Sequence, residues 1–210
     1  MAAPSLRLVS DSTITPIPVN GKVPPRRVTN AERRSREYLT PSEIEDLITA
    51  AGKIGRHRHR DKSLILIGYR HGLRVSELIA LRWDMVDLKQ GRLHVTRLKG
   101  GSDSVQPLRG PEIRALRRLL RDYDSPYVFC SERGGPLTAS SVRKIVARAG
   151  DKAGLINVHP HQLRHSCGYY LANKGIDTRA IQAYLGHRNI QHSTRYTELA
   201  ANRFDGFWKD

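Results

Sequence analysis

The sequence has few cysteines, no long apolar run and no secretory leader. Its two cysteines, Cys130 and Cys167, do not make a disulfide framework. No segment approaches the roughly 20 apolar residues that a bilayer-spanning helix needs, and the first residues lack the apolar core of a signal peptide. With 39% hydrophobic residues, the composition is too apolar for a disordered chain. These absences predict a soluble globular protein, without membrane contact, in a reducing cytoplasm.

Acidic residues are too few to balance the basic ones. The chain has 36 Lys and Arg against 20 Asp and Glu, a formal net charge of +16 and a sequence pI near 10.4. Arginine, whose planar fork binds a phosphate through two parallel hydrogen bonds, outnumbers lysine by 27 to 9. This charge favours a polyanionic partner, with nucleic acid first, over a merely solvated basic surface.

The length of 210 residues suits one domain with an appendage. Residues 1–37 contain five prolines and a basic run and are predicted to be a mobile tail. Residues 38–199 carry the helical and strand patterns of the main domain. Residues 200–210 form an apolar C-terminal segment.

The patterns predict an α+β fold that is mainly helical, with a small antiparallel sheet. Thr40, Pro41 and Glu43 form a strong helix-start signal. Two alternating segments, 92–98 and 104–108, predict a hairpin with Lys99 at its tip, and 127–129 a further short strand. The predicted helices run over about 41–52, 60–71, 75–81, 111–122, 139–152, 160–173, 178–185 and 190–199.

Six side chains at predicted helix ends and turns have the types that phosphate chemistry needs. Taken singly, each has a simpler interpretation as a surface ion pair, a turn residue, a capping histidine or a half-buried aromatic. Their joint order is what favours a common site. They are Arg74, Lys99, His161, Arg164, His187 and Tyr196.

This ordered set resembles the tyrosine recombinases, also called the phage integrase family. Residues 159–208 especially resemble the fimbrial phase-variation recombinases, which invert a promoter segment, and the resemblance covers residues 38–210. His187 follows Arg164 by 23 positions, and Tyr196 follows His187 by nine. A chance match to several motifs in the family's order is improbable. The resemblance implies the fold of a tyrosine recombinase catalytic domain.

The resemblance assigns three of these residues to the phosphate. Arg74 and Arg164 would bind the scissile phosphate and oppose the charge of its pentavalent state, and His187 would donate a hydrogen bond to it. Glu77 matches an acidic position of the motif and would orient Arg74. A helix-surface salt bridge is the alternative for Glu77.

The resemblance assigns the others to bond making and proton transfer. Tyr196 would attack the phosphorus, and His161 would help remove its proton. Lys99 would protonate the departing 5′ oxygen, and His165 would support the site.

The implied activity is that of a site-specific recombinase that cuts and rejoins DNA through a 3′-phosphotyrosine, without metal, ATP or cofactor. The implied reaction is inversion of a DNA segment. An integrase or excisionase of a mobile element, and a catalytically idle DNA-binding regulator, are the alternatives. The implied partners are duplex DNA with inverted repeats and DNA-bending architectural proteins. The implied assembly is a homotetramer on that DNA, in the bacterial nucleoid.

The chain departs from the usual family plan ahead of the catalytic domain. Most members carry a separate helical DNA-clamping domain before the catalytic one, and the Pro-rich tail is too short for it. DNA binding therefore falls mainly to the catalytic domain. By resemblance, residues 200–210 would dock on a neighbouring protomer; folding back on their own domain is the alternative.

The histidines suggest a rival zinc site, and with it a metal-dependent nuclease. His161 and His165 are four positions apart on a predicted helix, with His159, His187 and His192 also available. No HExxH motif is present, and two arginines nearby would repel a dication. The sequence therefore predicts no metal site.

Overall fold

The computed structural model describes residues 37–97, 101–198 and 200. It is mainly helical with one small antiparallel sheet, and this confirms the predicted fold class. The helices are α1 (Pro41–Ala51), α2 (Arg58–Arg70), α3 (Val75–Ala80), α4 (Gly110–Asp122), α5 (Ala139–Lys152), α6 (Pro160–Asn173), α7 (Thr178–Leu185) and α8 (Gln191–Glu198). The strands are β1 (Val86–Asp87), β2 (Arg92–Val95) and β3 (Ser104–Pro107).

The predicted start of the first helix is correct. The Thr40 hydroxyl accepts a hydrogen bond from the Glu43 amide, while the Glu43 carboxylate accepts one from the Thr40 amide at 2.7 Å. This reciprocal cap satisfies two amides that the helix itself leaves unpaired. The helix then buries Ile44 and Leu47 and ends at Gly52.

The predicted hairpin is present as β2 and β3, which pair Leu93 with Gln106 and Val95 with Ser104. Leu93 and Val95 face the core, whereas Arg92 and His94 face solvent. The turn that joins the strands contains Lys99, which lies outside the described residues. So do most of the predicted tail and of the C-terminal segment.

The predicted strand at 127–129 is wrong. Tyr127 makes one isolated bridge with Arg82, and the Val128 amide donates to the Leu81 carbonyl at 2.9 Å. The apolar character of this stretch has another cause, because Val128 and Phe129 are both buried in the core. Their burial serves packing, not a strand ladder.

Helix α6 lies between two apolar clusters. Its Leu163 packs in the larger cluster with α1, α2 and α5, and its Cys167 packs in a smaller cluster with Leu185 and Tyr196. Because α6 touches both, side chains on it can meet residues from distant parts of the chain. None of the helices in the described ranges has the length and apolarity to cross a bilayer.

Candidate active site

Arg164 is the most enclosed arginine of the predicted set. It lies in the second turn of α6, and only 2% of its surface is exposed. Its Nη1 donates to the Gly72 carbonyl at 2.6 Å and its Nη2 to the Leu185 carbonyl at 2.7 Å. Arg164 thereby joins the turn after α2 to the end of α7.

Two glycines allow these segments to approach. Gly72 has φ +56°, and a side chain there would collide with Leu185. Gly186 ends α7 in the left-handed conformation with φ +63°. Glycine adopts this conformation without steric cost, so the chain can turn sharply and present His187 directly after the helix.

Arg74 begins α3 and is held by Glu77. Glu77 accepts hydrogen bonds from the Arg74 backbone amide at 2.8 Å and from Arg74 Nη1 at 2.9 Å. The carboxylate side chain is only 2% exposed, whereas the Arg74 side chain is 32% exposed. A surface salt bridge would leave both partners in water, so the geometry fits an orienting role for Glu77 better.

Arg97 is a neighbour that the sequence reasoning missed. Its fully buried side chain donates from Nη1 to Glu77 Oε2 at 2.6 Å, so Glu77 binds two arginines. The strand alternation contained the signal, because Arg97 falls on the same inward phase as Leu93 and Val95. A buried arginine is rare unless it is paired.

These groups form what we call the arginine cluster: Arg74, Arg97, Arg164 and Glu77. Burial, then the charges of Arg74 and Arg97, lowers the pKa of Arg164 to about 10, so it still carries its charge at neutral pH. Glu77 binds two of the three guanidinium groups, and its charge also acts on the third, that of Arg164. An excess of buried positive charge is stabilised by an anion.

His187 lies beside this cluster and is oriented by α8. Its Nδ1 is 2.8 Å from the hydroxyl oxygen of Ser193, a fully buried residue that the sequence reasoning also missed. Burial, then Arg164 and Arg74, lowers the pKa of His187 to about 3. The ring is therefore neutral at physiological pH and can donate one hydrogen bond from its remaining nitrogen.

Tyr196 is buried on α8, with 2% of its surface exposed. Its ring lies so close to Gly168 that an added Cβ there would be 2.5 Å from a ring carbon. Tyr169 packs edge-on with ring centroids 5.0 Å apart, and the Tyr196 hydroxyl lies 3.0 Å from His165 Nδ1. We call these four residues the tyrosine pocket. Burial raises the pKa of Tyr196 to about 12, although Arg164 opposes the rise.

The two histidines of α6 occupy different positions. His165 contacts the phenol, whereas the more exposed His161 packs edge-on against His165 with ring centroids 4.4 Å apart. Burial, then His161, lowers the pKa of His165 to about 4, so its ring is neutral. Lys99 lies outside the described residues, so its role in proton transfer stays a prediction.

The structure therefore brings seven of the eight predicted residues into one region. His187 connects its two parts, because it is in the field of Arg164 and Arg74 and its ring stacks 6.1 Å from that of Tyr196. In the described ranges, no three His, Cys, Asp or Glu side chains are placed to share a metal ion. Cys167 is buried, as expected for a packing residue.

A buried phenol beside an anion-attracting arginine cluster, in a helical domain with one hairpin, defines the class of tyrosine recombinase catalytic domains. A model of the phage integrase family matches residues 37–203. The chain belongs to this family of site-specific recombinases, and the resemblance stated from the sequence is confirmed.

Two curated relatives cover most of the chain. It is 44% identical to the type 1 fimbriae regulatory protein FimB of Escherichia coli K12 over 185 residues, which are 85% of this chain and 92% of FimB. It is 43% identical to FimE of the same strain over 182 residues, which are 83% of this chain and 91% of FimE.

A solved structure of XerH site-specific recombinase, bound to its difH substrate before cleavage, is also similar. The TM-score is 0.70 and the sequence identity is 26%. The match covers 87% of this chain and 57% of the XerH chain. The chain thus corresponds to little more than half of XerH.

Proposed function

We propose that this protein inverts a DNA segment by cutting and rejoining strands through a phosphotyrosine at Tyr196. Its similarity to FimB and FimE supports inversion, and its similarity to a DNA-bound recombinase supports duplex DNA as the substrate. The single observation that carries the chemistry is the arginine cluster with its excess positive charge, which lies beside the buried phenol. A backbone phosphate of DNA is the anion that fits both.

In the proposed first step, the Tyr196 oxygen attacks the phosphorus, and the bond from phosphorus to the 5′ oxygen breaks. The charge gathered on the non-bridging oxygens is opposed by Arg74 and Arg164, with a hydrogen bond from His187. Removing one such donor typically costs on the order of a hundredfold in rate. The phosphate stays on Tyr196 as a 3′-phosphotyrosine.

Two protons move in this step. The phenol loses its proton with the help of His161. His165 contacts the Tyr196 hydroxyl, and this contact favours an auxiliary role for His165 in the same proton transfer. The departing 5′ oxygen gains a proton from Lys99. The phenol thus gives up one proton as the P–O bond to Tyr196 forms, and the departing oxygen takes up one proton to become the 5′ hydroxyl.

The second step is the reverse attack by a 5′ hydroxyl of another strand. The phosphotyrosine ester keeps the energy of the broken diester, so rejoining needs neither ATP nor a metal ion. Because the arginines supply the charge that a metal ion would otherwise provide, a chelator should leave strand cleavage unchanged. Loss of cleavage in chelator would instead indicate a metal-dependent nuclease.

The decisive experiment uses a nicked duplex that carries the inverted repeats flanking the protein's own gene. The nick lets the released 5′ end diffuse away and traps the covalent intermediate. We expect a protein-linked strand on a denaturing gel. A duplex that is bound but never becomes linked would indicate an idle regulator, and rejoining only between separate molecules would indicate an integrase.

Recombination also requires assembly. We propose a homotetramer on two DNA sites in the bacterial cytoplasm, with DNA-bending proteins assisting and residues 200–210 docking on a neighbouring protomer. Deleting 200–210 should abolish joining of two sites, and intact joining and cleavage would contradict the docking. DNA affinity should also fall steeply with salt, whereas a log–log slope near zero would oppose phosphate-dominated binding.

A further inference from the structure

We infer that Arg97 is a positioning residue that holds Arg74 in its phosphate-binding orientation through Glu77. The inference rests on the proposed function. Arg97 follows strand β2 and has no place among the residues carried over from the family. Its side chain is completely buried, in a chain where most arginines are at the surface.

The first support is the shared carboxylate. Arg97 Nη1 binds Glu77 Oε2 at 2.6 Å, while Arg74 Nη1 binds the other oxygen, Oε1, at 2.9 Å. Arg97 Nη2 donates to the Tyr184 carbonyl at 2.5 Å, and its backbone amide donates to Asp103 Oδ1 at 2.7 Å. Arg97 is therefore fixed at both ends, and it fixes the plane of the carboxylate that Arg74 uses.

The second support is the packing around the Arg97 stem. A Cβ added to Gly186 would lie 2.6 Å from Arg97 Cγ, and one added to Gly101 would lie 2.7 Å from the Gly186 carbonyl oxygen. Arg97 is thus enclosed by the hairpin segment at Gly101 and by the turn at Gly186 that precedes His187. No residue larger than glycine fits at position 101 or 186.

These contacts define what Arg97 contributes. Without it, Glu77 remains buried with Arg74 as its one arginine partner within the described part of the chain. The carboxylate then keeps only its bonds from the Arg74 amide and from Arg74 Nη1, with no charged partner on Oε2 among the described residues. It can shift and draw the Arg74 guanidinium away from the phosphate. A displacement of about 1 Å in a reacting group can cost on the order of a hundredfold in rate.

The first measurement compares Arg97→Gln with the parent protein on the nicked duplex. We expect the single-turnover rate of covalent attachment to fall about a hundredfold. The dissociation constant for DNA should stay within about threefold, because the Arg97 side chain is fully buried. Arg121→Gln removes an exposed arginine on α4 as the matched control, and it should keep the parental rate. An unchanged rate in Arg97→Gln would overturn the inference.

The second measurement separates positioning from general damage. A methylphosphonate at the scissile position lacks the negatively charged oxygen that Arg74 would bind. Displacement of Arg74 should therefore slow cleavage of this duplex much less. We expect the rate deficit of Arg97→Gln to shrink clearly on this duplex. Equal deficits on both duplexes would mean that Arg97 serves only to hold the fold.

A conservative variant covers the case in which Arg97→Gln fails to fold, as judged by circular dichroism. Arg97→Lys keeps the charge but loses the planar guanidinium that donates to Glu77 and to the His71 and Tyr184 carbonyls. It should show an intermediate deficit that again shrinks on the methylphosphonate. If the parent protein forms no Tyr196-linked strand, the proposed function fails; if the parent forms it and both variants match it, only this inference fails.

Discussion

The arginine cluster and the tyrosine pocket lie side by side and are held by different forces. In the arginine cluster, hydrogen bonds from guanidinium groups to Glu77 and to backbone carbonyls set the geometry. In the tyrosine pocket, ring packing sets it, and the Tyr196 hydroxyl makes one contact with His165. The first part binds charge and tolerates little change in donors. The second part positions one oxygen and tolerates little change in shape.

This difference suits the proposed reaction. The phosphate-binding part must be charged and directional before the substrate arrives, because reorganising during the reaction would cost rate. The nucleophile must stay protonated until it is needed; a phenol is already protonated at neutral pH, and burial reinforces this by raising the pKa of Tyr196 to about 12. Mutations in the two parts should therefore fail in different ways.

The largest expected effect comes from Tyr196→Phe. Phenylalanine keeps the packing against Gly168 but has no nucleophilic oxygen, so covalent attachment should disappear while DNA binding is retained. Losing the contact with His165 should lower the free energy of unfolding by only about 1 kcal/mol. Tyr170→Phe, at an exposed tyrosine, is the control that should stay active. Residual attachment in Tyr196→Phe would show that another nucleophile acts.

Arg164→Gln should damage both activity and stability. The Gly72 and Leu185 carbonyls would lose their charged donor, which we expect to cost about 2–3 kcal/mol, and the cleavage rate should fall at least about a hundredfold. Urea unfolding and the nicked-duplex assay measure the two effects. The exposed Arg143→Gln is the control for loss of one charge. A variant with parental cleavage would remove Arg164 from the proposed site.

Gly168→Ala tests the shape requirement of the tyrosine pocket. The added methyl would overlap the Tyr196 ring, so α8 or the ring must move. Overpacking of this kind typically costs about 1–3 kcal/mol. We expect slower cleavage with DNA affinity intact, and Gly135→Ala, where a Cβ would meet nothing within 4 Å, should change neither. Parental cleavage by Gly168→Ala would mean that Tyr196 leaves this pocket before it reacts.

The smallest effect is a pH dependence that links both parts. The folded-state pKa values of His165, about 4, and His187, about 3, are below the ordinary value of 6.5. The unfolded chain therefore binds protons first as the pH falls, so stability is full above pH 6.5 and is lost toward pH 4. Since both rings are partly exposed, we expect roughly 1 kcal/mol or less per histidine at pH 5.

Urea unfolding at pH 7.5 and pH 5 measures this loss. His187→Gln should reduce the difference between the two pH values, whereas the exposed His94→Gln should leave it unchanged. An equal pH dependence in all three proteins would mean that His187 does not titrate as its burial implies.

Local patterns predicted most of the fold. The start of α1 at Thr40 and the end of α7 at Gly186 could be read because capping involves neighbours in the chain. The strand at 127–129 failed because an apolar run does not reveal whether a partner strand is available. The predicted fold class was correct because it depends on the long helices, whose periodicity is clear, and not on one short strand.

The sequence predicted which residues belong to the site, but not which of them contact each other. His161 and His165 have the same residue type one helical turn apart, and only the position of α8 decides that His165 meets the Tyr196 hydroxyl. Ser193 carries no sequence signal that separates it from other serines. Arg97, just after β2, carried a signal because it shares the inward phase of Leu93 and Val95, but its partner Glu77 lies 20 positions earlier.

The sequence by itself determined which chemical groups are present, their order along the chain and hence the family. The tertiary structure decided which groups touch: Arg164 with two distant carbonyls, Glu77 with two arginines, and Tyr196 with Gly168 and His165. The physical reason is that capping and periodicity act over a few residues. Contacts between helices depend instead on how close two backbones can pack, which glycines and buried side chains settle jointly across the whole domain.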